Sequence, residues 1–154
     1  MMDTCELYSW AAALCARSEK CRNDIMTKLR LKGVTSGEAV EITDRLELEG
    51  FIDEARYAHA FAADKLRFDH WGRIKIRHHL MAKGIDATLI DEVLADVIDE
   101  ADYRTALSVF IKERQRRILP EEDGYKAAQK VACAAINRGY EPYLVFECLH
   151  LDNE

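Results

Sequence analysis

The side chains that could do chemistry in this chain are scattered along it. His59, Asp64, His78 and His79 offer acid–base groups, but no pair among them has a spacing that forces a pocket. His78 and His79 are adjacent, so on a helix their side chains point about 100° apart and make poor ligands for one zinc ion. We therefore expect no catalytic residue, no metal site and no cofactor.

The cysteines and the N-terminus bear on the compartment. The five cysteines are odd in number and contain no C-x-x-C pair, which is typical of reduced thiols in a cytosol. Asp3 and Glu6 stand where a secretory signal would carry cations, and the apolar run at residues 10–16 is far shorter than the ~20 residues of a membrane span. We expect a cytoplasmic protein without membrane contact.

Composition indicates the elements that hold these side chains. Of 154 residues, 49% are hydrophobic and 32% are charged, which fits a folded chain rather than a disordered one. Two prolines and seven glycines are separated by long stretches of good helix formers. The predicted fold class is all-α.

One helical pattern is written three times. Two apolar residues four apart are followed by a cation and then a glycine, at residues 25–34, 76–85 and 131–140. The apolar spacing predicts a helix with one buried face. The glycine predicts a left-handed C-cap, and the cation favours the negative end of the helix dipole. The first two copies align at a constant shift of 51 residues.

These copies predict three tandem three-helix, helix-turn-helix-like repeats at residues 1–51, 52–98 and 99–154. Thr35, Asp53 and Asp86 are candidate N-caps, and Pro142 suits a first helical turn. Pro120 should interrupt repeat three, whose middle helix is expected at residues 123–138. No glycine or proline lies between residues 85 and 119, so we expect the last helix of repeat two to continue into repeat three. Each repeat alone would expose its apolar face, which predicts an elongated, curved array.

Charge is strongly polarised along the chain. The net charge of −6 argues against a nonspecific nucleic-acid binder. Residues 56–84, however, carry seven cations against two carboxylates, whereas residues 85–103 carry seven carboxylates and neither lysine nor arginine. A further cationic group follows at Lys112, Arg114, Arg116 and Arg117. Such a distribution suits docking in a defined orientation, although a basic stripe is most often only a solvated face.

Within the cationic stretch, Arg77 has an unusual position. On a helical wheel it lies on the arc of Leu80 and Met81, so it is either paired in the interior or reaches out to a partner. Arg73 lies one turn earlier on the same face. Trp71 stands in the break between two basic helices, where packing between those helices is the simpler interpretation than partner contact.

Segments 50–58 (GFIDEARYA) and 71–85 (WGRIKIRHHLMAKGI) resemble the RecX family, bacterial regulators of the RecA recombinase. The resemblance implies tandem three-helix repeats that dock in the helical groove of a RecA filament on DNA. It further implies suppression of filament growth, ATP hydrolysis, strand exchange and co-protease activity, within recombination, DNA repair and the SOS response. It involves no enzymatic activity, and we expect a monomer.

The resemblance places the partner-binding surface on the cationic side of repeat two. This surface would contact the recombinase filament and DNA phosphates, single- or double-stranded, inside it. The residues assigned to it are Arg56, Lys65, Arg67, Trp71, Arg73, Lys75, Arg77 and Lys83.

The alternative function is a helix-turn-helix DNA-binding protein. In repeat two the segment after Gly84 would then be the base-reading helix. That segment carries Asp91, Glu92 and Asp96, whose charges oppose contact with phosphates. An adaptor for a different protein partner is a third interpretation.

Overall fold

The computed structural model describes residues 2–119 and 124–150. Within these ranges it contains nine α-helices and no strand, which confirms the all-α prediction. The helices are α1 Thr4–Arg17, α2 Arg22–Leu31, α3 Ser36–Leu48, α4 Glu54–Arg67, α5 Arg73–Ala82, α6 Ala87–Val97, α7 Glu100–Arg116, α8 Gly124–Asn137 and α9 Pro142–Leu149.

The described residues form two compact units. Unit 1 draws on Met1–Phe61 and Leu80–Ile90, and unit 2 draws on Ala62–His79 and Asp91–Glu154. In unit 1, helices α1, α2 and α3 pack around a core that includes Ile25, Leu29 and Leu46. In unit 2, helices α7, α8 and α9 pack around a core that includes Leu107, Ala135 and Val145. The boundaries of the three repeats and their curved arrangement stay predictions.

The left-handed glycine caps are confirmed at all three predicted positions. Gly33, Gly84 and Gly139 have φ angles of 82°, 81° and 100°, which side chains with a Cβ rarely adopt. In each case the N–H of the residue after the glycine donates to the carbonyl five residues earlier, at 3.2, 3.1 and 3.3 Å respectively. The repeated pattern therefore encodes a repeated helix end.

The predicted N-caps are also present. The side chain of Thr35 accepts a hydrogen bond from the third N–H of α3 at 3.2 Å, and Asp53 accepts the corresponding bond in α4 at 2.9 Å. Asp86 accepts the N–H of Thr88 at 3.1 Å, and Pro142 is the first residue of α9. The predicted break at Pro120 and the predicted helix start at residue 123 lie outside the described residues.

The expected continuous helix between repeats two and three is wrong. Helix α6 ends at Val97, and α7 begins at Glu100. Between them Asp99 has an extended backbone, with φ −87° and ψ 125°, and its carboxylate accepts the N–H of Asp102 at 2.9 Å. An aspartate N-cap therefore starts a new helix where the sequence contains neither glycine nor proline.

Candidate partner-binding surface

Trp71 lies at the centre of a cationic group of side chains in unit 2. The Nζ atoms of Lys65 and Lys75 lie 4.7 and 4.4 Å from its ring centroid, and the His79 ring lies at 4.6 Å, tilted by 54°. The backbone N–H of Trp71 donates to the carbonyl of Lys65 at 3.0 Å, which holds the Trp71 backbone beside the end of α4. We call these four residues the Trp71 cluster. Lys65, Trp71 and Lys75 are half-buried, and each cation–π contact contributes on the order of 1 kcal/mol.

Two cations of this surface lack a carboxylate partner among the described residues. Lys75 contacts the indole without an ion pair, and Arg67 is exposed with its guanidinium 5.3 Å from the Phe68 ring. Lys65, by contrast, pairs with Asp69 at 3.1 Å. Binding an anionic partner at Arg67 and Lys75 would break no salt bridge within the described chain. These two are the cations best placed to serve a partner.

Arg73 belongs instead to an internal network of unit 2. Its Nη1 atom binds Glu141 Oε2 at 2.6 Å, its Nη2 atom binds Glu100, and its guanidinium lies 4.1 Å from the Tyr103 ring. The Tyr103 hydroxyl accepts the backbone N–H of Arg73 at 3.0 Å and donates to Glu141 Oε1 at 2.5 Å. The Arg73 side chain is only 24% exposed, and Glu141 only 15%. This network fixes the N-terminus of α5.

The protonation states of the network follow from its contacts. Burial alone would lower the pKa of Arg73, but the hydrogen bond to Glu141 and the nearby charges outweigh it, so the pKa lies above its ordinary value. Burial raises the pKa of Tyr103, and the hydrogen bond to Glu141 raises it further. The guanidinium therefore stays charged and the phenol stays neutral around neutral pH.

Arg77 is paired at the surface rather than in the interior. Its Nε atom lies 3.0 Å from Asp91 Oδ1, and its side chain is 42% exposed. The hydrogen bond to Asp91 raises the pKa of Arg77. Of the two outcomes that its position on the wheel allowed, neither is met in full, because the arginine pairs with a carboxylate at the protein surface.

The structure places six of the eight predicted residues in unit 2, and Arg56 and Lys83 in unit 1. Arg56 binds Glu19 at 2.5 Å and the carbonyl of Gly50 at 3.0 Å, so it holds the loop before α4. Lys83 binds Asp24 of α2 at 2.6 Å. Both side chains have contacts that stabilise unit 1 itself.

Sequence reasoning missed the support beneath the Trp71 cluster. The backbone N–H of Gly72 donates to the carbonyl of Arg138 at 2.8 Å, and the backbone N–H of Ile74 donates to the carbonyl of Gly139 at 3.0 Å. The loop at residues 138–139 thus satisfies N–H groups at the start of α5 that have no partner within the helix. Nothing in the local pattern around Trp71 indicates a partner so distant in the sequence.

A sequence signal for part of this support did exist. The motif at residues 53–57 returns at residues 99–103, so Glu54 corresponds to Glu100. The shift of 51 likewise relates Arg22 to Arg73. In unit 1 the backbone N–H of Arg22 donates to Glu54 Oε1 at 3.3 Å, and in unit 2 the side chain of Arg73 binds Glu100. The recurrence relates the positions of Arg73 and Glu100 but not the kind of contact, because Arg22 uses its backbone N–H and Arg73 uses its side chain.

The part of the chain that the structure describes contains no group of three or more histidine, cysteine, aspartate or glutamate side chains placed to hold a metal ion. Nor does any helix there have the length and apolar character needed to cross a membrane.

The fold and this surface match a known class of module. Residues 53–94 match the family model described as RecX, second three-helix domain. The match covers the whole of α4 and α5 and most of α6. The chain therefore contains a three-helix module of the RecX type.

Relatives extend the likeness along the chain. It is 32% identical to Regulatory protein RecX of Clostridium botulinum (strain Eklund 17B / Type B) over 124 residues, which are 80% of this chain but only 58% of that protein. It is 29% identical to Regulatory protein RecX of Chlorobium phaeobacteroides (strain BS1) over 147 residues, 96% of this chain and 93% of that one.

A solved structure agrees in fold. The crystal structure of RecX from Lactobacillus salivarius superimposes with a TM-score of 0.81 at 16% identity, covering 96% of this chain and 94% of that one. At this identity the likeness concerns the fold alone. The resemblance to the RecX family that the sequence predicts is confirmed: residues 53–94 match the family's second three-helix domain, and the chain is similar to proteins named Regulatory protein RecX.

Proposed function

We propose that this protein binds the RecA recombinase filament and inhibits its growth, and thereby its ATP hydrolysis, strand exchange and co-protease activity. The likeness to proteins named Regulatory protein RecX supports a regulatory role. The observation that supports the binding surface is the Trp71 cluster together with Arg67, in which Arg67 and Lys75 lack carboxylate partners among the described residues. The protein acts by binding, without covalent chemistry.

The Arg73 network gives this surface its geometry. Because Glu141 and Tyr103 hold the first residue of α5, Lys75 on the next half-turn has a fixed position beside the indole. Cations held in place lose less side-chain entropy when they bind carboxylates or phosphates than cations on mobile chains. Complementary charge also steers the encounter with an anionic surface and fixes its orientation.

A filament offers many copies of the same subunit side by side. When one contact has formed, the next becomes intramolecular, so weak contacts to neighbouring subunits add into avidity for the filament over a free subunit. DNA phosphates inside the filament are a further partner for Arg67 and Lys75. Because the net charge is −6, we expect contacts with the recombinase rather than with DNA to supply most of the binding free energy.

The helix-turn-helix alternative receives no support from α6. Asp91, Glu92 and Asp96 are all exposed on this helix, where a base-reading helix would face DNA phosphates. Like charges at that position oppose binding. A gel shift with random and selected duplexes would separate the two functions, because tight, salt-resistant selection of one sequence would favour the alternative.

The test of the proposed function is the ATPase of a RecA recombinase on single-stranded DNA with substoichiometric amounts of this protein. We expect loss of turnover well below one copy per recombinase subunit, since one inhibitor blocks addition of many subunits. Unchanged turnover at equimolar protein would refute the proposal.

A further inference from the structure

A second cationic feature of unit 2 is a cleft beside the C-terminal half of α7. It has a volume of about 400 Å³. Its lining includes Val109, Phe110, Arg114, Arg117, Arg138 and His70. None of these residues belongs to the Trp71 cluster.

The charge of this cleft is not neutralised by the described residues. Arg114, Arg117 and Arg138 form no ion pair with a carboxylate in the described ranges. The one carboxylate in the lining, Glu113, pairs with Arg116 at 3.2 Å. The Nη1 group of Arg138 donates to the carbonyl of Asp69 at 2.6 Å, and its remaining N–H groups can donate to a ligand. The cleft therefore presents three guanidinium groups.

An aromatic ring orients two of these groups. The guanidinium carbons of Arg114 and Arg138 lie 5.3 and 5.4 Å from the centroid of Phe110. Cation–π contacts of this kind hold a guanidinium beside the ring, and the planar fork of an arginine matches a carboxylate in two-point contact. The cleft is thus arranged to receive carboxylates.

We propose that this cleft binds an acidic segment of a protein partner in which an apolar side chain adjoins carboxylates. The guanidinium groups take the carboxylates, and Val109, which is 54% exposed, forms the apolar contact beside Phe110. This assigns a second contact surface beyond the one used in the proposed function.

Three observations favour a peptide over a nucleic acid. A base stacking on Phe110 would compete with the two guanidinium groups that already contact the ring. Helix α7 opens with the exposed carboxylates of Glu100 and Asp102, which would repel a polyanion extending along it. A volume near 400 Å³ is also at the small end for ligand sites and suits a few side chains rather than a strand.

The test uses the full chain without recombinase, so its result is independent of the proposed function. The probe is a fluorescein-labelled hexapeptide, DLDFEE, measured by fluorescence polarisation at low salt. The comparison ligands are the amide analogue NLNFQQ and a labelled oligothymidylate. We expect saturable binding of DLDFEE, weaker binding of the analogue, and loss of at least about tenfold in affinity for Arg114→Glu/Arg117→Glu.

Two further variants complete the test. Val109→Asp removes the apolar contact without touching an arginine and should also weaken binding of DLDFEE. Lys28→Glu/Arg30→Glu makes the same change in net charge on exposed positions of α2 and should leave binding unchanged. Equal binding of DLDFEE and NLNFQQ, tighter binding of oligothymidylate, or full affinity in the folded Arg114→Glu/Arg117→Glu variant would each overturn the proposal.

Discussion

Gly72 and Gly139 meet backbone to backbone in unit 2, although 66 residues separate them in the sequence. A Cβ atom on Gly72 would lie 2.3 Å from the carbonyl carbon of Gly139. A Cβ atom on Gly139 would lie 2.4 Å from the Cβ of Lys75, a member of the Trp71 cluster. The contact thus links the helix end of one repeat copy to the surface proposed to bind the filament.

The first prediction concerns this contact. Gly72→Ala should lower the free energy of unfolding by about 1–3 kcal/mol, because the added methyl group overlaps backbone atoms that cannot move aside easily. Urea denaturation measures the change. The matched control is Gly37→Ala in α3, where an added Cβ meets nothing within 4 Å and should stabilise by about 0.4–1 kcal/mol. Equal effects of the two substitutions would contradict the packing at Gly72.

The second prediction concerns the carboxylate that anchors Arg73. Glu141→Gln should cost about 1.5–3 kcal/mol, because it removes a charged partner from a largely buried guanidinium. Glu147→Gln breaks the exposed pair with Arg104, in which both side chains are at least half exposed, and should cost less than about 1 kcal/mol. Chemical denaturation of both variants provides the comparison. If Glu141→Gln lowered the free energy of unfolding no more than Glu147→Gln does, the Arg73 network would not be needed for stability.

The third prediction is a pH dependence from Asp24. Burial alone would raise the pKa of this carboxyl group, but hydrogen bonds from Lys83 and Cys21 outweigh it, and the pKa lies below its ordinary value. Folding therefore favours the ionised form of Asp24. Its contribution to the free energy of unfolding is present above the unfolded pKa, about 3.9, and is lost as pH falls through the folded pKa. The stability difference between wild type and Asp24→Asn should shrink on acidification below about pH 4.

Glu54 should show the opposite sign. Burial raises the pKa of Glu54, and its Oε2 atom is buried without a hydrogen-bond partner among the described residues. Folding therefore favours the protonated form of Glu54, and the contribution of this group to the free energy of unfolding falls as pH rises through the folded pKa. Relative to Glu54→Gln, wild type should lose stability between pH 4 and pH 7. Denaturation of wild type, Asp24→Asn and Glu54→Gln as a function of pH tests both predictions. If the stability of wild type relative to each variant changed with pH in the same direction, the two pKa assignments would be refuted.

The fourth prediction concerns thiol reactivity. Burial raises the pKa of Cys21 to about 11, so little thiolate forms near pH 8. Cys5 and Cys133 are exposed. A disulfide reagent followed by peptide mass spectrometry should modify Cys5 and Cys133 first and Cys21 only on unfolding. Early labelling of Cys21 in the folded protein would contradict its burial.

Local features of the fold could be predicted from the sequence because their partners are near in the chain. A glycine cap closes on a carbonyl five residues earlier, and an N-cap closes on an N–H three residues later. Both interactions depend on residue type and spacing alone. The same reasoning misses the helix break at Asp99, because it assigns helix breaks only to glycine and proline.

The candidate site was harder to predict, as Arg73 and Arg77 show. The helical wheel predicts that Arg77 is either paired in the interior or reaches out to a partner, and that Arg73 extends the same face. In the structure Arg73 is the more buried of the two, at 24% against 42% exposure. A wheel gives the direction of a side chain from its own helix. Which element covers the side chain depends on tertiary packing. Arg73 is covered by Glu141, which lies 68 positions away in the sequence.

The fifth prediction tests the central claim, that the cations around Trp71 bind the filament. Arg73 is unsuitable for this test, because reversing its charge would also break the network with Glu141. Arg67→Glu/Lys75→Glu changes only cations without carboxylate partners among the described residues, and Lys28→Glu/Arg30→Glu on α2 is the control of equal charge. Circular dichroism would establish that both variants keep their helices.

The decisive measurement is recombinase ATPase on single-stranded DNA, titrated with wild type, the Arg67→Glu/Lys75→Glu variant and the α2 control. We expect the Arg67→Glu/Lys75→Glu variant to need at least about tenfold more protein for half-inhibition, and the control to match wild type. Full inhibition by a folded Arg67→Glu/Lys75→Glu variant would contradict the proposed surface.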